Sequence, residues 1–355
     1  MNAPIRVLVV DDSSFMRGAV ARLLSADRHF EVCGQARDGL DAVKLASELC
    51  PDVITMDFNM PGLNGAEATR RILAERPLPI VMLSAHTRDG AAETVDALAA
   101  GAVDFVEKPD GEVSANMSNV RDELIQKLLT AAGAKVLSAP PAGSASTRSA
   151  SEPPVSRRAA RSAVRHMPPG LRIVVVASST GGPSALVRVL PTLRLAEHAA
   201  LLVVQHMPPA FTAALADQLS DRVGYAVREA RAGDALEPGL ALVAPGGKHL
   251  LVARSGRLAL SDAPPQHGVR PAADVTLKSA AQAYGARTVG VVLTGMGRDG
   301  ATGLAAVKAA GGRTLAQDRG SCTVYGMPRA AVEMGVVDEV VALDRIGSVV
   351  SKLVS

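Results

Sequence analysis

The chain has 355 residues, of which 48% are hydrophobic and 21% charged, with a formal net charge of +3. At roughly 100–200 residues per domain that length fits two domains, and no apolar run reaches the roughly 18 residues that would span a bilayer. The opening MNAPIRVLVVDD lacks the apolar region and small-residue cleavage site of a secretory signal, so the expected location is the cytoplasm, with the scattered Cys33, Cys50 and Cys322 forming neither a disulfide framework nor a zinc site.

In chain order, short apolar runs alternate with longer amphipathic stretches. Strands are predicted at 5–10, 31–36, 53–57, 80–84 and 104–106, with helices between them such as 14–24, 38–49 and 65–75. Five strands alternating with helices imply a parallel sheet covered on both faces. From Ala132 the composition turns to Ala, Ser, Pro and Arg without apolar periodicity, which predicts a flexible linker. The expected organisation is a domain over 1–130, a linker over 131–167 and a second domain over 168–355. Within 133–168, Lys135, Arg148, Arg157, Arg158, Arg161 and Arg165 face Glu152 alone, a net +5, which leaves −2 on the rest of the chain. The basic character therefore belongs to the linker. With five Phe, three Tyr and no Trp, the chain has few platforms for stacking nucleic-acid bases.

Beyond the linker the alternation resumes. A strand is predicted at 172–177, a helix at 183–190, a strand at 200–205 and a helix at 210–220. A hairpin region over 240–244, 250–253 and 257–260 follows, then a helix at 274–284 and a strand at 288–294. The second domain is thus also expected to be α/β, with a mixed sheet. No internal repeat is visible.

Ligands of open parallel α/β sheets bind outside the carboxyl ends of the strands. In the first domain Asp11 and Asp12 end the first strand and Asp57 ends the third. Carboxylates gathered that closely call for a cation, and a hard divalent ion such as Mg²⁺ suits oxygen ligands. Ser84 ends the fourth strand and Lys108 follows the fifth, where a hydroxyl and an ammonium can hold a phosphoryl group on Asp57. Over about 4–130, the Asp11-Asp12 pair, Asp57 of DFNMPGLNG, Ser84 of VMLSA, Phe105 and Lys108-Pro109 resemble the receiver domains of two-component response regulators. The resemblance implies a flavodoxin-like sheet of order 2-1-3-4-5 and Asp57 as phospho-acceptor. It further implies Mg²⁺ on Asp12, Asp57 and the backbone carbonyl of Asn59, Ser84 and Phe105 as switch residues, and a Lys108–Pro109 bond open to the cis form.

In the second domain, IVVVASSTGGPSALVRVL reads as a strand, two hydroxyl residues, two glycines and a proline opening a helix. Such a turn exposes a serine beside free N–H groups at a helix N-terminus. It fits a nucleophile elbow without the G-x-S-x-G pattern, a dinucleotide loop without G-x-G-x-x-G, or a plain tight turn. His206 ends the next strand and is placed for a general base. Asp299 follows the strand of VGVVLTGMGRDGATG and can orient that histidine.

SSTGG, QHMPP, TGMGRDG and VYGMP, in this order behind a receiver, resemble the catalytic domain of the chemotaxis response-regulator protein-glutamate methylesterases over about 168–355. That resemblance implies a doubly wound α/β domain with a mostly parallel sheet and no cofactor. It implies Ser179 as nucleophile, His206 as base, Asp299 as third member and the Met296 N–H as oxyanion donor; Ser178 stands where the family commonly has alanine. Cys322, in DRGSCTVYGMP, falls near the site by analogy, but no feature of the family supports a thiol nucleophile there. The implied activity is phosphorylation-activated hydrolysis of glutamate methyl esters, with deamidation of particular glutamines, on methyl-accepting chemotaxis receptors. It would serve sensory adaptation, with a chemotaxis histidine kinase as phosphodonor, the cytoplasmic part of the chemoreceptors as substrate, and neither nucleic acid nor membrane insertion. A non-enzymatic regulator that binds DNA would need a basic recognition helix, and 169–355 has no cluster of Lys and Arg on one helix.

Overall fold

In a computed structural model the described residues are 3–84, 88–108, 116–136, 170–195 and 198–355. Most of the predicted linker, 137–167, and Pro109 with its peptide bond lie outside them.

The first unit alternates β1 Ile5–Val10, α1 Ser14–Ser25, β2 Phe30–Ala36, α2 Gly39–Leu49, β3 Val53–Asp57, α3 Gly65–Glu75, β4 Ile80–Ser84, α4 Arg88–Ala99, β5 Asp104–Glu107 and α5 Asn116–Ala132. Side-chain caps open three of the helices. Ser13 accepts from the Met16 N–H, Asp38 from Asp41 and Asn64 from Glu67, each meeting an amide that the helix itself cannot bond. The central strands β3 and β4 are fully buried, as a sheet covered by helices requires, while the edge strand β2 is only partly so. All pairings are parallel and the order is β2-β1-β3-β4-β5. The order reverses at β1 and β3, so the ends of those two strands, Asp11 and Asp57, border the crevice where such sheets bind ligands.

The second unit comprises β6 Arg172–Ser178, α6 Gly182–Val189, β7 Ala199–Gln205, α7 Pro209–Ser220, β8 Ala226–Glu229, β9 Leu240–Val243, β10 His249–Val252 and β11 Leu258–Ser261. It continues with α8 Ala273–Tyr284, β12 Thr288–Val292, α9 Ala301–Ala309, β13 Arg313–Gln317, α10 Met327–Glu333, β14 Glu339–Val341 and α11 Leu343–Val354. Seven strands form a sheet of order β14-β13-β12-β6-β7-β9-β8. The expected mixed sheet is corrected here, because every pairing in it is parallel. The loop between β8 and β9 carries the chain back to the same edge without a helix, so β9 joins the main sheet. Only β10 and β11 run antiparallel, as a separate two-stranded sheet. Here the order reverses at β6 and β12, which brings Ser178–Ser179 and the segment after β12 to one crevice.

The two units share apolar packing. Leu98 of α4 and Phe105 of β5 belong to the same buried cluster as Val187 of α6 and Phe211 of α7. The Phe105 and Phe211 rings stack with centroids 4.3 Å apart, an arrangement worth about 0.5–1.5 kcal/mol beyond burial. Gln218 Nε2 donates to Asp96 Oδ1 at 2.7 Å, and the Lys135 N–H and Nζ donate to the carbonyls of Thr323 and Gly320. Among the described residues no helix is long and apolar enough to cross a membrane.

Candidate active site and phospho-acceptor site

In the first unit Asp11 and Asp57 are buried and Asp12 is exposed. One oxygen from each lies within 4.8 Å of the others. Lys108 Nζ sits 2.8 Å from Asp11 Oδ2 and 2.9 Å from Asp57 Oδ1. Burial pushes the Asp57 carboxyl above its ordinary value despite Lys108, and the neighbouring Asp11 and Asp12 add to the rise. Burial works against the charged form of Lys108, but the two carboxylates outweigh it and hold the ammonium charged. Three carboxylates against one ammonium leave an excess of negative charge, and an all-oxygen donor set with one exposed member fits a hard divalent cation such as Mg²⁺. Asn59 follows β3 in the same crevice loop and is exposed. Ser84 is buried and accepts from Thr94 Oγ1 at 2.7 Å, which links the end of β4 to α4.

In the second unit β6 ends on the turn Ser179–Gly182. Gly181 has φ +75°, and a Cβ there would lie 2.5 Å from the Thr323 Cβ. A Cβ on Gly182 would lie 2.0 Å from Gln205 Oε1. Both glycines are therefore required for the chain to turn so tightly into α6. The two serines separate cleanly. Ser178 is fully buried and donates to Gln205 Oε1 at 2.6 Å. Gln205 Nε2 in turn donates to the carbonyls of Ser179 and His206, at 3.0 and 3.2 Å. Ser178 thus helps hold the turn, while Ser179 is part-exposed and lines a cavity of about 660 Å³ together with His206, Met296 and Asp299.

His206 Nε2 lies 2.8 Å from Asp299 Oδ2, with both side chains largely buried. Burial raises the Asp299 carboxyl, but His206 and the Ala273 and Asp274 amides outweigh it and hold the group below its ordinary value. Gly295 places the segment after β12 against the serine: a Cβ there would lie 2.8 Å from the Ser179 Cβ. Met296 follows with a side chain 48% exposed, and its Sδ accepts from Thr130 Oγ1 of α5 at 3.5 Å. Cys322 is 2% exposed and does not line the cavity, and burial pushes its thiol up to about 12. A thiol held that strongly protonated makes a poor nucleophile at neutral pH.

The first unit forms part of the cavity wall. Asp104, Phe105, Lys127 and Thr130 line it alongside Ser179 and His206. Thr180 Oγ1 donates to Asp104 Oδ2 at 2.6 Å, and the Gly181 N–H donates to the Val103 carbonyl at 2.9 Å. Sequence reasoning missed Asp104, Thr180 and Gln205 as members of the site. Gln205 stands inside the QHMPP motif and could have been read there. The role of Asp104 depends on packing between units, which leaves no local signal.

A receiver-type sheet with its acidic crevice, joined to an α/β unit whose cavity gathers Ser179, His206 and Asp299, defines the class of protein. The response regulator receiver domain model matches residues 7–115, and the CheB methylesterase model matches residues 174–350. A protein-glutamate methylesterase/protein-glutamine glutaminase of Symbiobacterium thermophilum is 48% identical, covering 99% of this chain and 97% of the relative. A protein-glutamate methylesterase/protein-glutamine glutaminase of Pyrococcus horikoshii is 44% identical, covering 100% of this chain and 95% of the relative. The crystal structure of the Thermotoga maritima CheB methylesterase catalytic domain superposes with a TM-score of 0.50 at 41% identity, covering 52% of this chain and 98% of that one. The chain belongs to the CheB methylesterase family, with a response regulator receiver domain at its N-terminal end.

Proposed function

We propose that this chain hydrolyses the methyl esters of glutamate side chains on methyl-accepting chemoreceptors, deamidates particular receptor glutamines, and is switched on by phosphorylation of Asp57. The observation that carries the catalytic part is the cavity shared by Ser179, His206 and Asp299, with His206 bonded to Asp299 and Ser178 withdrawn into the core.

Ser179 Oγ attacks the ester γ-carbonyl carbon while His206 takes its proton. Since Nε2 faces Asp299, Nδ1 is the nitrogen that serves the serine. Asp299 stabilises the resulting imidazolium. The Met296 N–H, beside Ser179, is the proposed donor to the oxyanion. His206 returns the proton to the departing methoxide, which leaves as methanol. Water, deprotonated by His206, then splits the acyl-enzyme to a glutamate carboxylate and regenerates Ser179. With a glutamine substrate the same steps release ammonia.

For control, the Asp57 carboxylate takes the phosphoryl group from a chemotaxis histidine kinase, and Lys108 neutralises it. Asp12, Asp57 and the Asn59 carbonyl would hold Mg²⁺, which when bound supplies charge compensation for the transferring phosphoryl group. Ser84 and Phe105 relay the change. Phe105 stacks on α7 and its neighbour Asp104 bonds Thr180 beside the nucleophile, which supports inhibition by the unphosphorylated receiver domain. The proposed domains are 1–130 and 168–355, joined by 131–167.

The test is methanol release from methylated receptor fragments. Ser179→Ala should lower kcat by on the order of 10⁴-fold or more, and Ser178→Ala by no more than about tenfold. The reverse ranking would overturn the assignment.

A further inference from the structure

His206 is not the only group that holds Asp299. Asp299 Oδ2 also accepts the Ala273 N–H at 2.6 Å, and Oδ1 accepts the Asp274 and Gly300 N–H groups, each at 2.9 Å. These amides stand at the openings of α8 and α9, so two helix N-termini converge on one buried carboxylate. Asp274, itself 1% exposed, extends the pattern outward. Its Oδ1 accepts the Gly303 N–H at 2.6 Å, which ties α8 to the first turn of α9, and its Oδ2 meets His267 Nε2 at 2.9 Å. His267 is on the loop ahead of α8 with φ +55° and lines the same cavity as Ser179 and His206. One ligand atom each from His267, Asp274 and Asp299 lie within 4.8 Å of one another. Both Asp299 oxygens are already taken by donors, so the cluster is a bonded network and not an open cation site.

Two buried carboxylates this close repel, and each is tolerated only while its acceptors are met. The Asp274 carboxylate is held by the Gly303 amide and His267. Without the imidazole, a carboxylate 1% exposed would keep one of them. It would then turn to find another donor, which disturbs the start of α8, whose Ala273 and Asp274 amides hold Asp299.

We infer that His267 is a positioning residue: through Asp274 it fixes the N-terminus of α8, and thereby the Asp299 carboxylate that orients His206. A second His–Asp pair stands behind the first. The inference rests on the proposed roles of His206 and Asp299.

The test uses the full-length chain, activated with acetyl phosphate and Mg²⁺, as wild type, His267→Ala and His267→Gln. Gln keeps an amide donor near the position of Nε2. Misplacement of a catalytic group costs up to about 100-fold, so kcat for H267A should fall between about 10- and 100-fold with KM within about twofold, while H267Q retains most of the rate. In proton NMR the downfield ring proton shared by His206 and Asp299 should shift or broaden in H267A and persist in H267Q. An H267A variant with unchanged kcat and unchanged signal overturns the inference, as does a change confined to KM. H267Q as slow as H267A would assign the loss to contact between the ring and substrate, and overturns it too. If H267A does not fold, H267Q decides: a loss above about tenfold rejects the inference. Because the proton signal needs no substrate, a wild type that releases no methanol would reject the proposed activity and leave this inference to the NMR result.

Discussion

At Asp57 burial and charge act against each other. The folded state raises its pKa from the ordinary 3.8, so the native protein holds that proton more tightly than the unfolded chain does. Ionised Asp57 therefore costs stability above its folded pKa, and the cost disappears as pH falls below the unfolded value. Asp57→Asn should raise Tm at pH 7, with the advantage gone near pH 3; calorimetry that finds the variant less stable at pH 7 would contradict this. Mg²⁺ at ten times its Kd should stabilise the wild type by about 1.4 kcal/mol, and much less in D57N, which should also fail to take up phosphate from acetyl phosphate. The acidic crevice was legible in the sequence because strand ends in a parallel sheet converge on one edge. The proposed choice of Ser179 over Ser178 came from the family resemblance alone. Burial and the Gln205 bond separate the two side chains, and neither is visible in a run of two serines.

At the scale of elements, short apolar runs alternating with amphipathic stretches marked every strand and helix named for the first unit, to within a residue or two. In the second unit, β8, β13 and β14 went unread because they are short edge-side strands with polar residues, such as AVRE and RTLAQ, that carry little periodic signal. The expected mixed sheet arose from treating β9 as part of a hairpin region, whereas the crossover from β8 makes it parallel. The contact of β5 with the turn after β6 was also invisible, since it joins residues 76 apart in sequence, Asp104 and Thr180. That contact is the proposed brake. Asp104→Ala removes the acceptor of the Thr180 hydroxyl and one partner of Lys127. Basal methanol release should rise about fivefold and the further gain on phosphorylation should shrink, as a weakened coupling requires. A basal rate at or below that of the wild type, with the fold intact, would remove β5 from the inhibitory contact.

At the scale of the molecule, the proposed control makes activity depend on an equilibrium between receiver-covered and open catalytic faces. Among the described residues the units meet through the apolar cluster shared by α4, β5, α6 and α7, one aromatic stack and several hydrogen bonds, and contacts between units of one chain are of the kind that modest changes can open. Cleavage within 133–168 and removal of the receiver domain should leave a catalytic domain faster than the unphosphorylated full-length chain. A well-folded fragment no faster than that would shift control from occlusion to activation by the receiver. The most direct measurement is methanol release from methylated receptor helices by the full-length chain, with and without acetyl phosphate and Mg²⁺, alongside D57N. Coupling free energies of about 1–3 kcal/mol predict a rise of roughly 5- to 150-fold on phosphorylation of the wild type and none in D57N. Methanol release that is absent in both states, or equal in both, would contradict the account.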